Sequence, residues 1–458
     1  MQRLRPLLFV FPPFDFLEDA RIQNELLAGG VHDLLFAWGK LYDERHDEDD
    51  ARLLLDVSSH GRFVDRFFQA APRGRSVAPP FAATPELYAG LGATPPELAP
   101  GMEGKAERLA RLIEQLSAKG IRVSYFGYIG AGPDGPATWD SEEAKQAHGW
   151  DYVAARYQDY RRHYPSVAGF VTDGPGFGYE ITPGFRHGGQ LFGPLPTDPT
   201  HQAIARSLGV DLGALQAATD RSQGLMQGLT PAQLDLFLEA EQGVFDAIDV
   251  LMEDPAVLDL LRFKTAAIDH QIDAHYRAIK VIDPQLQYGI CPRLPCFATL
   301  QGVNFRRLSR ISDFLQPKHY LWMGGFDGFR GTLSRYAQTL REWNPALDDA
   351  RIEALVCRLL GVRLPERYRI ADFERPAPKA FFDEVVYRES RKMLWRVGDP
   401  EKISPFVGLE HEGIWLKAEE LRHLLQAMVD AGLTRFTYYV LNTISDDVWD
   451  VLTEFTAD

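Results

Sequence analysis

The segment VAGFVTD, residues 167–173, is the most informative stretch for the fold, because its apolar, strand-like run ends in the carboxylate of Asp173. Eight segments of this kind recur along the 458-residue chain, and helical stretches separate them. Strands that alternate with helices indicate a parallel sheet with right-handed crossovers, and eight such units predict closure into a (β/α)8 barrel. In that fold a polar residue at the carboxyl end of a strand points into the mouth of the barrel. An open doubly wound sheet is the alternative architecture.

The predicted strands are spread over the whole chain. We expect them at Leu7–Phe11, Asp33–Trp38, Arg122–Gly127, Val167–Thr172, Leu286–Ile290, Asp313–Pro317, Pro405–Leu409 and Arg435–Val440. Long insertions interrupt the alternation at 42–100, 174–245 and 344–403, after strands 2, 4 and 6. Because loops that follow parallel strands emerge at the mouth, we expect the insertions to cover it. We interpret residues 1–458 as a single catalytic barrel domain.

The composition excludes several classes of protein. A net charge of −15 argues against binding to nucleic acid, which requires a basic surface. No apolar run is long enough to cross a membrane, and the short run at residues 7–11 ends in two prolines without a cleavage site. The three cysteines lack metal-binding spacing, so we expect a reduced, cytoplasmic protein without a metal or another cofactor. The sequence carries no signal of an oligomeric state.

Asp173 is followed by a loop rich in glycine and aromatic residues, GPGFGYE at 174–180. Glycine lets the backbone approach a ligand closely, and the rings offer that ligand a flat surface. The other interpretation is that Asp173 caps a glycine-rich turn. Glu180, at the end of this loop, is either a second candidate acid or a solvated loop charge.

Strand 7 leads into the segment EHEGIW at 410–415. In extended backbone Glu410 and Glu412 share one face, while His411 points away from it. Two carboxylates on one side can differ in pKa and divide the roles of acid and base between them. The other interpretation is a cluster of loop ion pairs with the third insertion.

The remaining strand ends are rich in charged and aromatic residues. Such a set predicts a polar pocket with ring surfaces, which suits the hydroxyl groups and apolar C–H faces of a sugar. We therefore expect a carbohydrate substrate, bound by Asp15, Trp38, Lys40, Tyr128, Arg293, Lys318, His319, Tyr320 and Asn442. The chain has no dinucleotide fingerprint and no phosphate-binding glycine loop after strand 7 or 8.

The order of elements, with an acid after strand 4 and a glutamate after strand 7, resembles the clan-A glycoside hydrolases. These are retaining glycosidases on (β/α)8 barrels, and the stretch 277–293 is similar to their β-galactosidase-like members. Those enzymes usually carry Asn-Glu after strand 4, whereas this chain has Thr172-Asp173. The resemblance implies a retaining mechanism with Glu410 as nucleophile and Asp173 or Glu180 as acid/base. A barrel glycosidase in which the strand-4 aspartate is the nucleophile remains open.

Two further functions fit the same residues. The chain could be a carbohydrate-binding barrel that has no catalytic activity, which a panel of chromogenic glycosides would separate from a hydrolase. It could also be a lyase or aldolase that uses Lys318, and borohydride trapping on the lysine would identify that chemistry.

Overall fold

A computed structural model describes residues 3–37, 41, 80–91, 95, 97–127, 150–185, 190–240, 252–321, 328–408 and 417–456. It describes the backbone alone at 42–43, 75–77, 142–149, 410–411, 414–415 and 443.

The strands fall into one large parallel sheet and two short antiparallel pairs. They are β1 Arg5–Val10, β2 Asp33–Ala37, β3 Leu41–Asp43, β4 Arg75–Val77, β5 Arg122–Phe126, β6 Val167–Asp173, β7 Gln287–Cys291, β8 Phe314–Leu315, β9 Lys318–His319, β10 Phe406–Gly408, β11 Glu410–His411, β12 Ile414–Trp415 and β13 Arg435–Tyr439. The antiparallel pairs are β3 with β4 and β11 with β12, and all other strands belong to the parallel sheet.

Helices connect the strands of the parallel sheet. They are α1 Ala20–Ala28, α2 Glu103–Ala118, α3 Glu142–His163, α4 Pro199–Leu208, α5 Leu212–Gln227, α6 Pro231–Glu239, α7 Pro255–Ile282, α8 Pro295–Ala298, α9 Phe305–Leu308, α10 Phe329–Trp343, α11 Asp349–Leu360, α12 Lys379–Phe381, α13 Tyr387–Val397, α14 Ala418–Asp430 and α15 Asp446–Thr456. No helix in the described ranges has the length and hydropathy that crossing a membrane would require.

The parallel sheet closes on itself. Its order is β8-β7-β6-β5-β2-β1-β13-β10-β9, and β8 and β9 are two parts of a single stretch, residues 314–319. On one side of this stretch the Gln316 amide donates to the Ile290 carbonyl at 2.7 Å; on the other, the Phe406 amide donates to the Pro317 carbonyl at 2.8 Å. The stretch therefore acts as one barrel strand, and the eight-stranded (β/α)8 barrel expected from the sequence is confirmed.

The sixth barrel strand differs from the sequence expectation. The expected strand Asp313–Pro317 is split into β8 and β9 around Gln316-Pro317 and extends to His319. Proline has no amide hydrogen to donate, so the regular ladder breaks at Pro317. The chain then resumes pairing with β10, where Lys318 lies opposite Phe406 and His319 opposite Val407.

Alternation along the strands separates two apolar cores. Side chains that point into the barrel form a small, ring-rich cluster: Leu7, Phe9, Phe11, Leu35, Ala37, Phe126, Val171, Cys291, Phe314, Tyr320, Phe406 and Val440. Side chains of the opposite parity, such as Leu8, Phe170 and Val407, belong to the large core between the sheet and the helices. The same alternation decides which polar side chains can reach the mouth.

Glycine at position 289 makes room for a ring inside the barrel. A Cβ atom added there would lie 2.5 Å from two carbons of the Phe314 ring, which is closer than real Cβ contacts. Gly289 pairs with Phe314 across β7 and β8, so the two residues meet on the same face of the sheet. The small residue and the large ring therefore fill the interior together.

The inserted segments carry their own anchors. The first insertion is anchored by Asp159 of α3, whose fully buried carboxylate accepts hydrogen bonds from the Thr84 amide at 3.2 Å, the Thr84 hydroxyl at 2.7 Å and the Tyr88 hydroxyl at 2.9 Å. In the second insertion α4 and α5 pack against α7 through a separate apolar cluster that includes Leu215 and Phe263. The single-domain division remains a prediction.

The helix before β7 is α7, which runs over Pro255–Ile282 in the described residues. The Asp254 side chain accepts from the Ala256 amide at 3.3 Å, and proline occupies the first turn, which is a typical helix start. The helix ends at Asp283-Pro284, because the residue before a proline is disfavoured in the helical conformation.

Candidate active site

Asp173 and Lys318 meet inside the barrel at the carboxyl ends of their strands. Asp173 closes β6 and lies opposite Cys291, an interior residue, while Lys318 begins β9 opposite the interior residue Phe406. The Lys318 Nζ atom lies 2.9 Å from the Asp173 Oδ1 atom, with side-chain exposures of 4% and 18%. The contact is an ion pair by charge and distance, although its angles are not those of a hydrogen bond. The barrel therefore places a partly exposed carboxylate beside a buried ammonium group.

Aromatic rings surround this pair. The Lys318 Nζ atom lies 5.9 Å from the centroid of the Tyr320 ring, which is 7% exposed. The Tyr320 centroid is 6.0 Å from those of both Phe406 and Tyr439, and the Phe9 ring lies 5.2 Å from Tyr439. Tyr320 thus joins the ion pair to a cluster of aromatic rings inside the barrel.

Polar side chains lie in the interior below Lys318. Gln316 precedes it by two residues on the same face, and its Nε2 atom donates to the Thr437 hydroxyl at 2.6 Å. The Thr437 hydroxyl is also 3.0 Å from the hydroxyl of Ser404, and all three side chains are fully buried. This layer was not expected from the sequence, although period-two alternation from Lys318 back to Gln316 could have indicated it.

Arg293 reaches the same end of the barrel from the loop after β7. It is 9% exposed, and its guanidinium carbon lies 5.9 Å above the ring of Tyr179. Tyr179 belongs to the glycine-rich loop after Asp173, and the Gly174 amide at the start of this loop donates to the Cys291 carbonyl at 3.0 Å. The loops after β6 and β7 are therefore held together near Asp173.

Glu180 has a different environment from Asp173. Its side chain is fully buried, and its Oε1 atom accepts from Arg335 Nη2 at 2.5 Å and from the Thr332 hydroxyl at 3.2 Å. Both partners belong to α10, in the layer of helices outside the barrel. These contacts hold the loop after β6 against α10, so the Glu180 side chain stabilises the structure.

Two expected sugar-binding residues make contacts that the sequence did not indicate. Asp15 lies on the outer rim, where its carboxylate accepts from Arg108 of α2 at 2.6 Å and stays 55% exposed. Asn442 accepts from the Phe11 amide at 2.8 Å and donates to the Phe11 carbonyl at 3.1 Å. Because both ends of its amide bind the backbone of strand 1, Asn442 closes the barrel between β13 and β1.

His319 points out of the barrel, which corrects its expected role in binding a sugar. Neighbouring residues of a strand face opposite sides, so His319 faces the helical layer while Lys318 and Tyr320 face the interior. The ring is 1% exposed, and neither of its nitrogen atoms has a hydrogen-bond partner in the described structure. Burial lowers the pKa of His319 to about 3, so the ring is neutral.

The other candidates fall outside the described side chains. Trp38, Lys40, Tyr128 and Glu412 lie outside the described residues. Glu410 is described by its backbone alone, as the first residue of β11, two positions after β10. Among the described side chains, no group of three His, Cys, Asp or Glu residues could hold a metal ion.

No protein-family model and no curated protein matches the chain. Solved structures with a similar fold include the PgaB (BpsB) glycoside hydrolase domain from Bordetella bronchiseptica, at 10% identity and a TM-score of 0.44, with 99% of both chains covered. A β-galactosidase from Halorubrum lacusprofundi has 13% identity and a TM-score of 0.47, and the match covers 99% of this chain and 57% of that chain. A chitinase from Chromobacterium violaceum has 10% identity and a TM-score of 0.39, with 99% of both chains covered. Likeness at this level transfers no activity to this chain.

Proposed function

We propose that the chain is a glycoside hydrolase whose reaction takes place at the carboxyl ends of the barrel strands. The observation that supports this most directly is the Asp173 carboxylate, 18% exposed, which pairs with the buried Lys318 ammonium group beside the Tyr320 ring. Rings can stack on the C–H faces of a sugar, and a carboxylate stabilises the positive charge that develops at the anomeric carbon. A carbohydrate is therefore the substrate class that this mouth suits best.

The second carboxylate of the proposed reaction comes from the loop after strand 7. In the barrel order, β6 carries Asp173, and β7 lies between it and the β8–β9 stretch that carries Lys318. β10 lies on the other side of that stretch. Glu410 follows β10 by two residues, so its backbone starts at the same end of the barrel as Asp173. Glu410 and Asp173 are the two groups that we propose for the chemistry, and a retaining mechanism is the working assumption.

Glu180 is not part of this proposal, because its buried carboxylate is committed to Arg335 and Thr332 of α10. A group that transfers a proton to the leaving oxygen must reach the substrate, and contact with a helix outside the barrel does not provide that. The sequence-based alternative of Glu180 as acid/base is therefore the weaker one.

A panel of aryl glycosides tests the proposal. Turnover of at least one glycoside should fall by roughly 10³-fold or more in Asp173→Asn and in Glu410→Gln, because each variant removes a reacting group. Asp235→Asn is the matched control, since Asp235 also forms an ion pair at 2.7 Å, with Arg351, but on the helical surface. Full activity in both test variants, or equal losses in the control, would contradict the proposed site. The anomer released first, read by proton NMR, decides between retention and inversion.

A second candidate function follows from Lys318 itself. Its amine is buried inside the barrel at the end of a strand, and the Asp173 carboxylate lies 2.9 Å away. Such an amine could attack a carbonyl substrate and form a Schiff base, as a lyase or aldolase would require. Borohydride in the presence of aldehyde or ketone substrates would then add a stable mass to the Lys318 peptide, and a glycosidase would show no such adduct.

A further inference from the structure

The pairing of Asp173 with Lys318 bears on which carboxylate performs which step. In a retaining glycosidase the nucleophile must be charged when the substrate arrives, whereas the acid/base must carry a proton. The sequence resemblance assigns the proton to Asp173 and the charge to Glu410. The structure places the buried Lys318 ammonium group 2.9 Å from the partly exposed Asp173 carboxylate.

We infer that Lys318 is a positioning residue that keeps Asp173 charged, and that Asp173 is the nucleophile while Glu410 is the acid/base. This inference rests on the proposed glycosidase function and reverses the roles that the sequence resemblance implies. It depends on the geometry of one ion pair inside the barrel.

The charge state follows from the chemistry of the two groups. In water a carboxylic acid is a stronger acid than an alkyl ammonium by about six pKa units, so a shared proton favours nitrogen by roughly a millionfold. Burial disfavours separate charges, but a partner of opposite sign at contact distance offsets that effect. The shared proton therefore stays on Lys318, and Asp173 is poorly suited to supply the proton that the leaving group needs.

The reaction then proceeds in two balanced steps. A carboxylate oxygen of Asp173 attacks the anomeric carbon and forms an ester-like glycosyl bond, while the bond to the leaving oxygen breaks and that oxygen takes the proton of Glu410. Water next attacks the anomeric carbon and gives a proton to Glu410, and Asp173 departs as a carboxylate. Lys318 assists the second step, because its positive charge stabilises the carboxylate as it is released.

The charge of Asp173 can be measured without any substrate. Protein labelled with ¹³C at the aspartate carboxyl carbons gives the Asp173 signal by difference from Asp173→Asn. We expect this signal to be that of a carboxylate at neutral pH, and its midpoint to move up by about one to three pH units in Lys318→Met. Lys318→Arg should restore the low midpoint. Lys280→Met is the matched control, because it removes a lysine–aspartate pair of 2.8 Å outside the barrel and should leave the Asp173 signal unchanged.

Two outcomes of this titration would overturn the role of Lys318. One is an Asp173 signal that is protonated at neutral pH in the unmodified protein. The other is an unchanged midpoint in a folded Lys318→Met protein. If Lys318→Met does not fold, the midpoint in the unmodified protein and in Lys318→Arg still decides, since the inference requires both to lie in the acid range.

The roles of the two carboxylates are separated by rescue with azide. In Asp173→Ala, azide can enter only from the face that the nucleophile has vacated, so the glycosyl azide should have the anomeric configuration opposite to the substrate. In Glu410→Ala the glycosyl-enzyme still forms with an activated aryl glycoside, and azide should give the same configuration as the substrate. The reverse pattern would refute the inference and leave the glycosidase proposal intact.

The pH profile of the intact enzyme provides the last readout. In Lys318→Met the acidic limb of kcat/KM should move up by about one to three pH units, and kcat should fall by roughly 10²-fold. A purely structural role for Lys318 would lower the amount of folded protein and leave the limb in place. If no glycoside is turned over by the unmodified protein, the proposed function fails, while the carbon titration still decides whether Lys318 holds Asp173 charged.

Discussion

Replacing Glu180 by glutamine should destabilise the protein and leave its reaction intact. The substitution keeps the volume of the side chain and one acceptor oxygen for Thr332, but it removes the negative charge that faces Arg335. Glu180 is fully buried, so the guanidinium loses its partner in a place where water can replace it only in part. The cost should therefore appear in the free energy of unfolding.

The size of the effect follows from the burial of the pair. Removing one partner of a buried ion pair costs about 3–5 kcal/mol. The Arg335 side chain is 15% exposed, so some hydration compensates, and we expect the lower end of that range, about 3 kcal/mol. For a chain of 458 residues the entropy of unfolding is about 1 kcal/mol per kelvin, so Tm should fall by roughly 3 °C.

A double-mutant cycle in urea isolates the pair. Glu180→Gln and Arg335→Met should each destabilise, and the double variant should recover much of the loss because no uncompensated charge stays buried. Glu454→Gln is the surface control, since its pair with Arg422 is 49% and 44% exposed and should contribute less than about 1 kcal/mol.

Activity measurements on the same variant can refute the structural role of Glu180. Per mole of folded protein, Glu180→Gln should hydrolyse activated and unactivated aryl glycosides at the unmodified rates. Unchanged stability, together with a selective loss on substrates that have poor leaving groups, would return the acid/base role to Glu180.

Three other predictions concern stability. Burial lowers the pKa of His319 to about 3 and that of His275 to about 4, so the unfolded chain binds protons below about pH 6.5 and the folded chain does not. At pH 4.5 each of these two histidines should therefore lower the free energy of unfolding by about 2–3 kcal/mol relative to neutral pH. In urea titrations the free energy of unfolding of His319→Phe should fall less steeply with decreasing pH than that of the unmodified protein. Gly289→Ala should cost about 1–3 kcal/mol in urea unfolding, because its new Cβ meets a ring inside the barrel. Asp159→Ala should raise hydrogen exchange in the segment that Asp159 anchors after β2 without raising it in β1, and protection that stays unchanged would refute the anchor.

The barrel could be predicted from the sequence because its signals are local. Apolar runs such as VAGFVTD, helices of regular period and stops such as Asp283-Pro284 each depend on a few neighbouring residues. Pro317 has no amide hydrogen to donate, so the sequence also contained the signal for the split of the sixth barrel strand. The continuation of that strand to His319 was not expected. The bounds of the barrel strands therefore differ from expectation by a few residues, while their order does not; the short antiparallel strands β3, β4, β11 and β12 were not expected.

The partners of polar side chains could not be predicted in the same way. Asn442 binds the backbone of Phe11, a residue 431 positions away, and no pattern near either residue indicates this contact. Glu180 and Arg335 are 155 positions apart and meet only because α10 packs beside the loop after strand 4. A strand-end position says where a side chain starts, whereas its partner depends on packing between distant segments.

The alternation of side chains between the two faces of a strand is a sequence signal that reduces the number of candidate site residues. Lys318, His319 and Tyr320 are consecutive, and all three were expected in the pocket, yet an extended chain can turn only alternate residues to one face. Asp173 fixes the interior face of its strand, since Val171 two residues earlier is an interior residue. The residue that pairs with a mouth carboxylate must share its side of the sheet, which selects Lys318 and Tyr320 and removes His319. A lysine chosen in this way is the residue whose substitution tests most directly whether Asp173 acts with a charge or with a proton.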